Sequence, residues 1–253
     1  MSNNNSEPSV QSINRAIQIL RCFENGNKLG LTEISTAVGL HKSTTYGLIT
    51  TLKNNGLLDK NEDTGKYQLG VELFRIAANV QMDLREICSP HIRQISEYTG
   101  ETVNLVIPDG INVIYIEKQE SDHSVKISTS IGKRLPMYCT GVGKAILAYL
   151  PAQEASSILD RTMLVPYTKN TLTSKESLIK QMEQTRESGY AVDMEELEYG
   201  LVCVAVPIIN HQRRPIAALS CSGPKQRMSG ERIESIFSEM SLHAGEISRM
   251  LIN

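Results

Sequence analysis

Residues 31–69 hold the pattern that most constrains this chain: two short apolar-periodic segments joined by a glycine turn, then a hairpin. Leu31-Thr32-Glu33-Ile34 opens the first, with Thr32 placed to cap it and Ile34 and Val38 facing inward; Gly39 ends it. The second spans residues 42–54 and closes at Gly56, a left-handed cap position. A supporting helix over residues 13–23 precedes them, with Ile13, Ala16, Ile17, Leu20 and Phe23 on one stripe and a stop near Asn25-Gly26. Two short helices on a tight turn form a helix-turn-helix. Residues 57–60 and 66–69 flank the polar turn Asn61-Glu62-Asp63-Thr64-Gly65, which predicts a β-hairpin wing.

The second helix of such a unit enters the major groove by its N-terminal half, so His41, Lys42, Ser43, Thr44 and Tyr46 are the expected DNA contacts, with Thr32 beside them. Lys42 and the hydroxyls suit phosphates and base edges, whereas Ile49 and Leu52 lie on the inward stripe. Residues 41–56 contain no acid. A helical hairpin inside a larger core is the plain alternative, and the wing favours DNA. The whole chain does not announce a nucleic-acid partner: 26 basic against 28 acidic residues leave −2, so any basic surface is local.

A length of 253 residues suits two domains, and 40% hydrophobic with 21% charged residues is ordinary for globular chains. The divisions expected are a disordered start over 1–11, the winged helix-turn-helix over 12–70, a linker helix over 71–82 and a sensor domain over 83–253. The polar start lacks the basic and apolar segments of a signal peptide, and no run of about 18 apolar residues suits a membrane span. A cytoplasmic protein without membrane contact is expected. Five scattered cysteines and five dispersed histidines suggest neither disulfides nor a metal site.

Beyond residue 70 a helical stretch should break at Ser89-Pro90, because proline is best tolerated in a first turn, and a new helix should run over 90–98. Strands are expected over 102–107, 112–117, 125–130, 190–192, 203–209 and 215–222, and helices over 141–150, 175–188 and 229–251. Helices against an antiparallel sheet make an α+β domain. Between them lies Gly132-Lys133-Arg134-Leu135-Pro136-Met137-Tyr138-Cys139-Thr140-Gly141-Val142-Gly143-Lys144-Ala145. Its glycines suit backbone N–H groups offered to an anion at a helix mouth, or simply a strand-to-helix turn. It is not a phosphate-binding P-loop, which needs glycine at Tyr138 and Ser or Thr at Ala145.

This segment, continuing Ile146-Leu147-Ala148, resembles the signature of the IclR family of bacterial transcription factors. The run from Ala191-Val192-Asp193-Met194 through Gly200-Leu201-Val202-Cys203-Val204-Ala205 resembles a second family block, and Ile13-Asn14-Arg15-Ala16, Leu31-Thr32-Glu33-Ile34 and Lys42-Ser43-Thr44 resemble its DNA-binding half. The resemblance covers nearly everything after the first ten or so residues. It implies a GAF-like effector domain, a homodimer or homotetramer, double-stranded operator DNA as partner and a small, often carboxylate-bearing effector, with no cofactor and no catalysis. By position it implies a pocket lined by Gly141, Val142, Asp193, Cys203, Ser220 and Ser222, with Ile127 and Leu135 as further members. Gly47 departs from the arginine of many family recognition helices, so operator sequence does not transfer. The rival function is an enzyme using Cys203 or Cys139 with a histidine; the sequence shows neither an adjacent base nor a lowered pKa.

Overall fold

The computed structural model describes residues 10–24, 26–77, 82–124, 126 and 129–251. The chain forms two compact units, Met1–Met82 and Asp83–Asn253.

In the first unit, α1 (Gln11–Arg21), α2 (Leu31–Ala37) and α3 (Lys42–Asn54) precede the hairpin β1 (Leu58–Lys60) and β2 (Tyr67–Leu69) and the short helix α4 (Val71–Ala77). Ile19, Phe23, Ile34, Ile49, Leu52, Leu58 and Tyr67 make its core. The expected α1 stripe shifts: Ile19 is buried while Ile13 and Ile17 stay exposed. Three- and four-residue spacings allow both stripes, and Ala16, Ile19, Leu20 and Phe23 are the set that packs on the core. Gln11 is already helical, so of the start expected to be disordered only residues 1–9 lie outside the described residues. The cap of α2 also differs. Gly30 is the N-cap and its N–H donates to Glu33 Oε2 at 2.7 Å, which puts Thr32 within the first turn. Gly56 closes α3 at φ +68°.

The second unit is a six-stranded antiparallel sheet in the order β5-β4-β3-β8-β7-β6, made of β3 (Thr102–Asp109), β4 (Asn112–Gln119), β5 (Arg134–Pro136), β6 (Ala191–Met194), β7 (Leu201–Ile209) and β8 (Pro215–Pro224). Alternation sorts its residues onto two faces. Val103, Leu105, Val202, Val204, Val206, Ala217, Leu219 and Cys221 meet α5 (Met82–Thr99) and α9 (Gly230–Met250). The opposite face carries Val106, Tyr115, Ala191, Ala205 and Ala218 under α6 (Gly141–Tyr149), α7 (Ala152–Arg161) and α8 (Lys175–Ser188).

Two expectations are corrected here. Pro90 lies inside α5, which does not break there: Leu84, Cys88, Ile92 and Ile95 bury one continuous stripe through the proline, and that packing outweighs the lost backbone bond. The strand expected over 125–130 is absent from its described residues, Lys126, Thr129 and Ser130. The edge of β4 is taken by β5 instead, with Val113 opposite Leu135. Helix α7 was not expected at all.

Candidate functional site

All six residues expected to meet DNA are exposed: Thr32 on α2, His41 at the N-cap of α3, and Lys42, Ser43, Thr44 and Tyr46 in its first turns. His41 also has local work, because its Nδ1 lies 2.8 Å from Ser43 Oγ and accepts from Ser43 N–H at 3.4 Å. Thr45, between Thr44 and Tyr46 in sequence, is fully buried and donates to the His41 carbonyl at 3.1 Å, which fixes the start of the helix. A Cβ added at Gly47 would meet nothing within 4 Å, so no contact inside the chain demands glycine there. The wing is tied to the helices by Lys66–Glu33 and Lys53–Glu62 pairs, each at 3.8 Å.

In the second unit the sheet register builds a cavity. Asp193 stands opposite Cys203, Cys203 opposite Ser222 and Ser222 opposite Thr102, one polar row across four strands. The adjoining row sets Ala205 opposite Ser220 and Ser220 opposite Asn104. Over these rows sits the N-terminus of α6. Leu135, Gly141, Val142, Asp193, Cys203, Ser220 and Ser222 all line one cavity. Ile127 lies outside the described residues.

The glycines divide the labour at this mouth. A Cβ on Gly143 would stand 2.2 Å from Met137 Cα, so Gly143 is a packing glycine that seats α6 against the preceding loop. A Cβ on Gly141 would stand 3.4 Å from both Ala205 Cβ and the Cys203 carbonyl oxygen, so the start of α6 packs closely on β7. The Thr140 side chain caps the helix by accepting from Gly143 N–H at 3.2 Å. The first N–H groups, those of Gly141 and Val142, have no acceptor within the helix, and the helix dipole adds to their pull on an anion.

Asp193 is 1% exposed, and burial pushes its carboxyl up to about 7, although Glu196 N–H donates to it at 2.7 Å and Lys144 stands nearby. A carboxyl poised there can donate a hydrogen bond to a ligand oxygen when protonated or accept one from a ligand hydroxyl when ionised, according to pH. The Cys203 thiol is pushed up by burial first and then by Asp193, and the Cys139 thiol is pushed up to about 12 by burial. A nucleophilic cysteine requires the opposite shift, so the geometry gives no support to the cysteine-enzyme reading.

Sequence reasoning missed other lining residues: Tyr115, Thr129, Lys133, Thr140, Leu197, Glu198 and Leu201. It also missed Asn104, which holds the serine row by donating to Ser220 Oγ at 3.3 Å while Thr129 Oγ1 donates to its Oδ1 at 2.6 Å. An asparagine among β-branched residues on β3 was the available signal. Lys133 and Glu198 are exposed, placing one charge of each sign at the rim. Lys144 of the signature does not reach the cavity; it is 1% exposed and donates to the Val192 carbonyl at 2.6 Å and to the Glu196 carboxylate.

Residues 12–62 match the family described as IclR helix-turn-helix domain, and residues 76–249 match Bacterial transcriptional regulator IclR C-terminal. The chain belongs to the IclR family. It is similar over most of its length to the Escherichia coli HTH-type transcriptional regulator XynR, at 38% identity over 247 residues, covering 96% of this chain and 98% of that one. The E. coli HTH-type transcriptional regulator KdgR is 34% identical over 245 residues, with 96% and 93% covered. Among solved structures, the Thermotoga maritima IclR superposes with a TM-score of 0.78 at 34% identity, covering 95% of this chain and 98% of that one. An IclR homolog from Microbacterium hydrocarbonoxydans complexed with 4-hydroxybenzoate shares the fold, with a TM-score of 0.85 at 22% identity and 95% and 99% covered. The protein is therefore an IclR-family, DNA-binding transcriptional regulator with an N-terminal helix-turn-helix and a C-terminal α+β domain. Among the described residues no helix is long and apolar enough to cross a membrane.

Proposed function

We propose that this IclR-family regulator controls an operon for a small carboxylate-bearing metabolite, which binds in the cavity under α6 and changes the affinity for operator DNA. Residues 12–70 would form the DNA-binding domain, 71–82 the linker and 83–253 the effector domain, and the protein would act in the cytoplasm on DNA. The observation that carries the reading is the convergence of Gly141, Val142, Asp193, Ser220 and Ser222 on one cavity. Two helix N-terminal N–H groups, two hydroxyls and a protonatable carboxyl surround an anionic oxygen with donors, while Leu135, Val142 and Cys203 supply apolar contact. Relatives support the class: one 34% identical protein is the Acetate operon repressor of Salmonella typhimurium, and the same fold holds 4-hydroxybenzoate in the M. hydrocarbonoxydans protein.

A homodimer or homotetramer fits paired half-sites on operator DNA. Exposed apolar side chains on α4, Val71 at 77%, Phe74 at 75% and Ile76 at 53%, support self-association, because such residues rarely stay in water together.

The test is a thermal-shift screen of the full-length protein against metabolic carboxylates, sugar acids and aromatic acids, followed by mobility shift on its own upstream DNA. A ligand preferring the folded form raises the melting temperature by mass action. The reading expects a carboxylate that both stabilises the protein and alters the DNA shift. Stabilisation only by uncharged ligands, or by none of the acids, would contradict it.

A further inference from the structure

His91 on α5 and His243 on α9, 152 residues apart, turn their Nδ1 atoms to within 2.8 Å of each other. Their rings are not stacked: the planes meet at 71° with centroids 5.1 Å apart. Glu246, three residues along α9 from His243, brings Oε2 to 3.6 Å from His91 Nδ1 and 3.9 Å from His243 Nδ1. Both histidines are buried, whereas the Glu246 side chain is half exposed.

We propose that His91, His243 and Glu246 form a divalent transition-metal site of the zinc class, independent of the effector cavity, that staples α5 to α9. The three ligand atoms bound a triangle with sides of 2.8, 3.6 and 3.9 Å, and the point equidistant from them lies about 2.0 Å from each, within the range of about 2.0–2.2 Å for zinc–nitrogen and zinc–carboxylate bonds. Two imidazoles and one carboxylate form a donor set that such ions accept, and the exposed side of Glu246 leaves the fourth position to water.

A second contact prepares the ligands. Glu239 Oε1 lies 3.2 Å from His243 Nε2 and accepts a hydrogen bond from its N–H, which leaves the Nδ1 lone pair free, the arrangement that orients metal-bound histidines. Without metal, His91 Nδ1–H donates to that lone pair. On binding, the His91 proton moves to Nε2 and its Nδ1 coordinates, so no net proton is released.

A plain histidine–histidine hydrogen bond is the competing explanation, and it makes no use of Glu246. The two separate in a titration of the tag-free, full-length chain, freed of metal by chelator dialysis. Co²⁺ serves as spectroscopic probe, and Zn²⁺ is titrated against a chromophoric competitor. The expected result is one tight equivalent, a visible Co²⁺ band and a higher melting temperature with Zn²⁺. His91→Gln, His243→Gln and Glu246→Ala should each lose the band and the stabilisation. Glu239→Gln, which removes only a positioning residue, should weaken Zn²⁺ binding by about 10- to 100-fold. Glu246→Ala changes a half-exposed side chain, so its loss of metal with an unchanged metal-free melting temperature separates ligation from misfolding. Absence of a tight equivalent in the wild type, or wild-type affinity in the histidine variants, overturns the proposal.

Discussion

Lys144 and Glu196 form an ion pair closed off from solvent, joining the signature helix α6 to the turn after β6 that carries Asp193. The lysine has a second acceptor in the Val192 carbonyl, while Glu196 Oε2 is buried without a hydrogen-bond partner among the described residues. This pair braces one wall of the cavity without lining it.

Removing one partner leaves the other charge buried and uncompensated, which costs about 3–5 kcal/mol in comparable pairs. Lys144→Met should therefore lower the urea midpoint strongly, and the double variant Lys144→Met/Glu196→Leu should recover much of the loss. Equal destabilisation by the single and double variants would show that packing, not charge, holds α6 to β6.

Asp193 yields a pH signature. Its carboxyl moves from 3.8 to about 7 on folding, so between those values the native state binds more protons than the unfolded chain. Stability is then lost as pH rises through this window, with a slope approaching about 1.4 kcal/mol per pH unit from this one group. Asp193→Asn keeps an acceptor for Glu196 N–H and removes the titration. Chemical denaturation from pH 4 to 8 should show the variant gaining on wild type as pH rises to 7 and staying level above it. A difference constant with pH would contradict the shift.

Lys42 stands exposed at the first turn of α3, where side chains of its type pair with phosphates. Lys42→Ala should weaken operator binding and reduce the log–log salt slope by about one unit, because one fewer counterion is released. An unchanged slope in fluorescence anisotropy titrations removes it from the phosphate contacts.

Phe74, 75% exposed on α4, should lie in a subunit contact. Phe74→Glu is expected to lower the assembly state seen by light scattering and weaken binding to a two-half-site operator more than to a single half-site. An unchanged mass would place the contact elsewhere.

Local signals made the DNA-reading half legible: a glycine at 39, a glycine at 56 and a polar turn between two short apolar runs bound α3 and the wing. The sheet was legible where alternation is strong, as in β7, with Val202, Val204 and Val206 on one face and Cys203 and Ala205 on the other. Composition misled where it stood in for pairing: residues 125–130 are rich in β-branched types, yet the free edge of β4 goes to β5. Pro90 misled because a local rule was overridden by tertiary packing. Cavity residues were reached through the family resemblance, since Leu135, Gly141, Asp193, Cys203 and Ser220 come from five different elements. Contacts such as Lys144–Glu196 and His91–His243 depend on which helix lies over which strand, and no local spacing encodes that.

The central claim, that the serine row on β8 holds the anionic end of the effector, is tested most directly by calorimetric titration of the identified carboxylate into wild type and into the Ser220→Ala and Ser222→Ala variants. Each variant loses a hydrogen bond to a charged group, about 1.5–3 kcal/mol, so ligand affinity should fall by roughly 10- to 100-fold while ligand-free operator affinity stays near wild type. Wild-type ligand affinity in both variants would contradict the account.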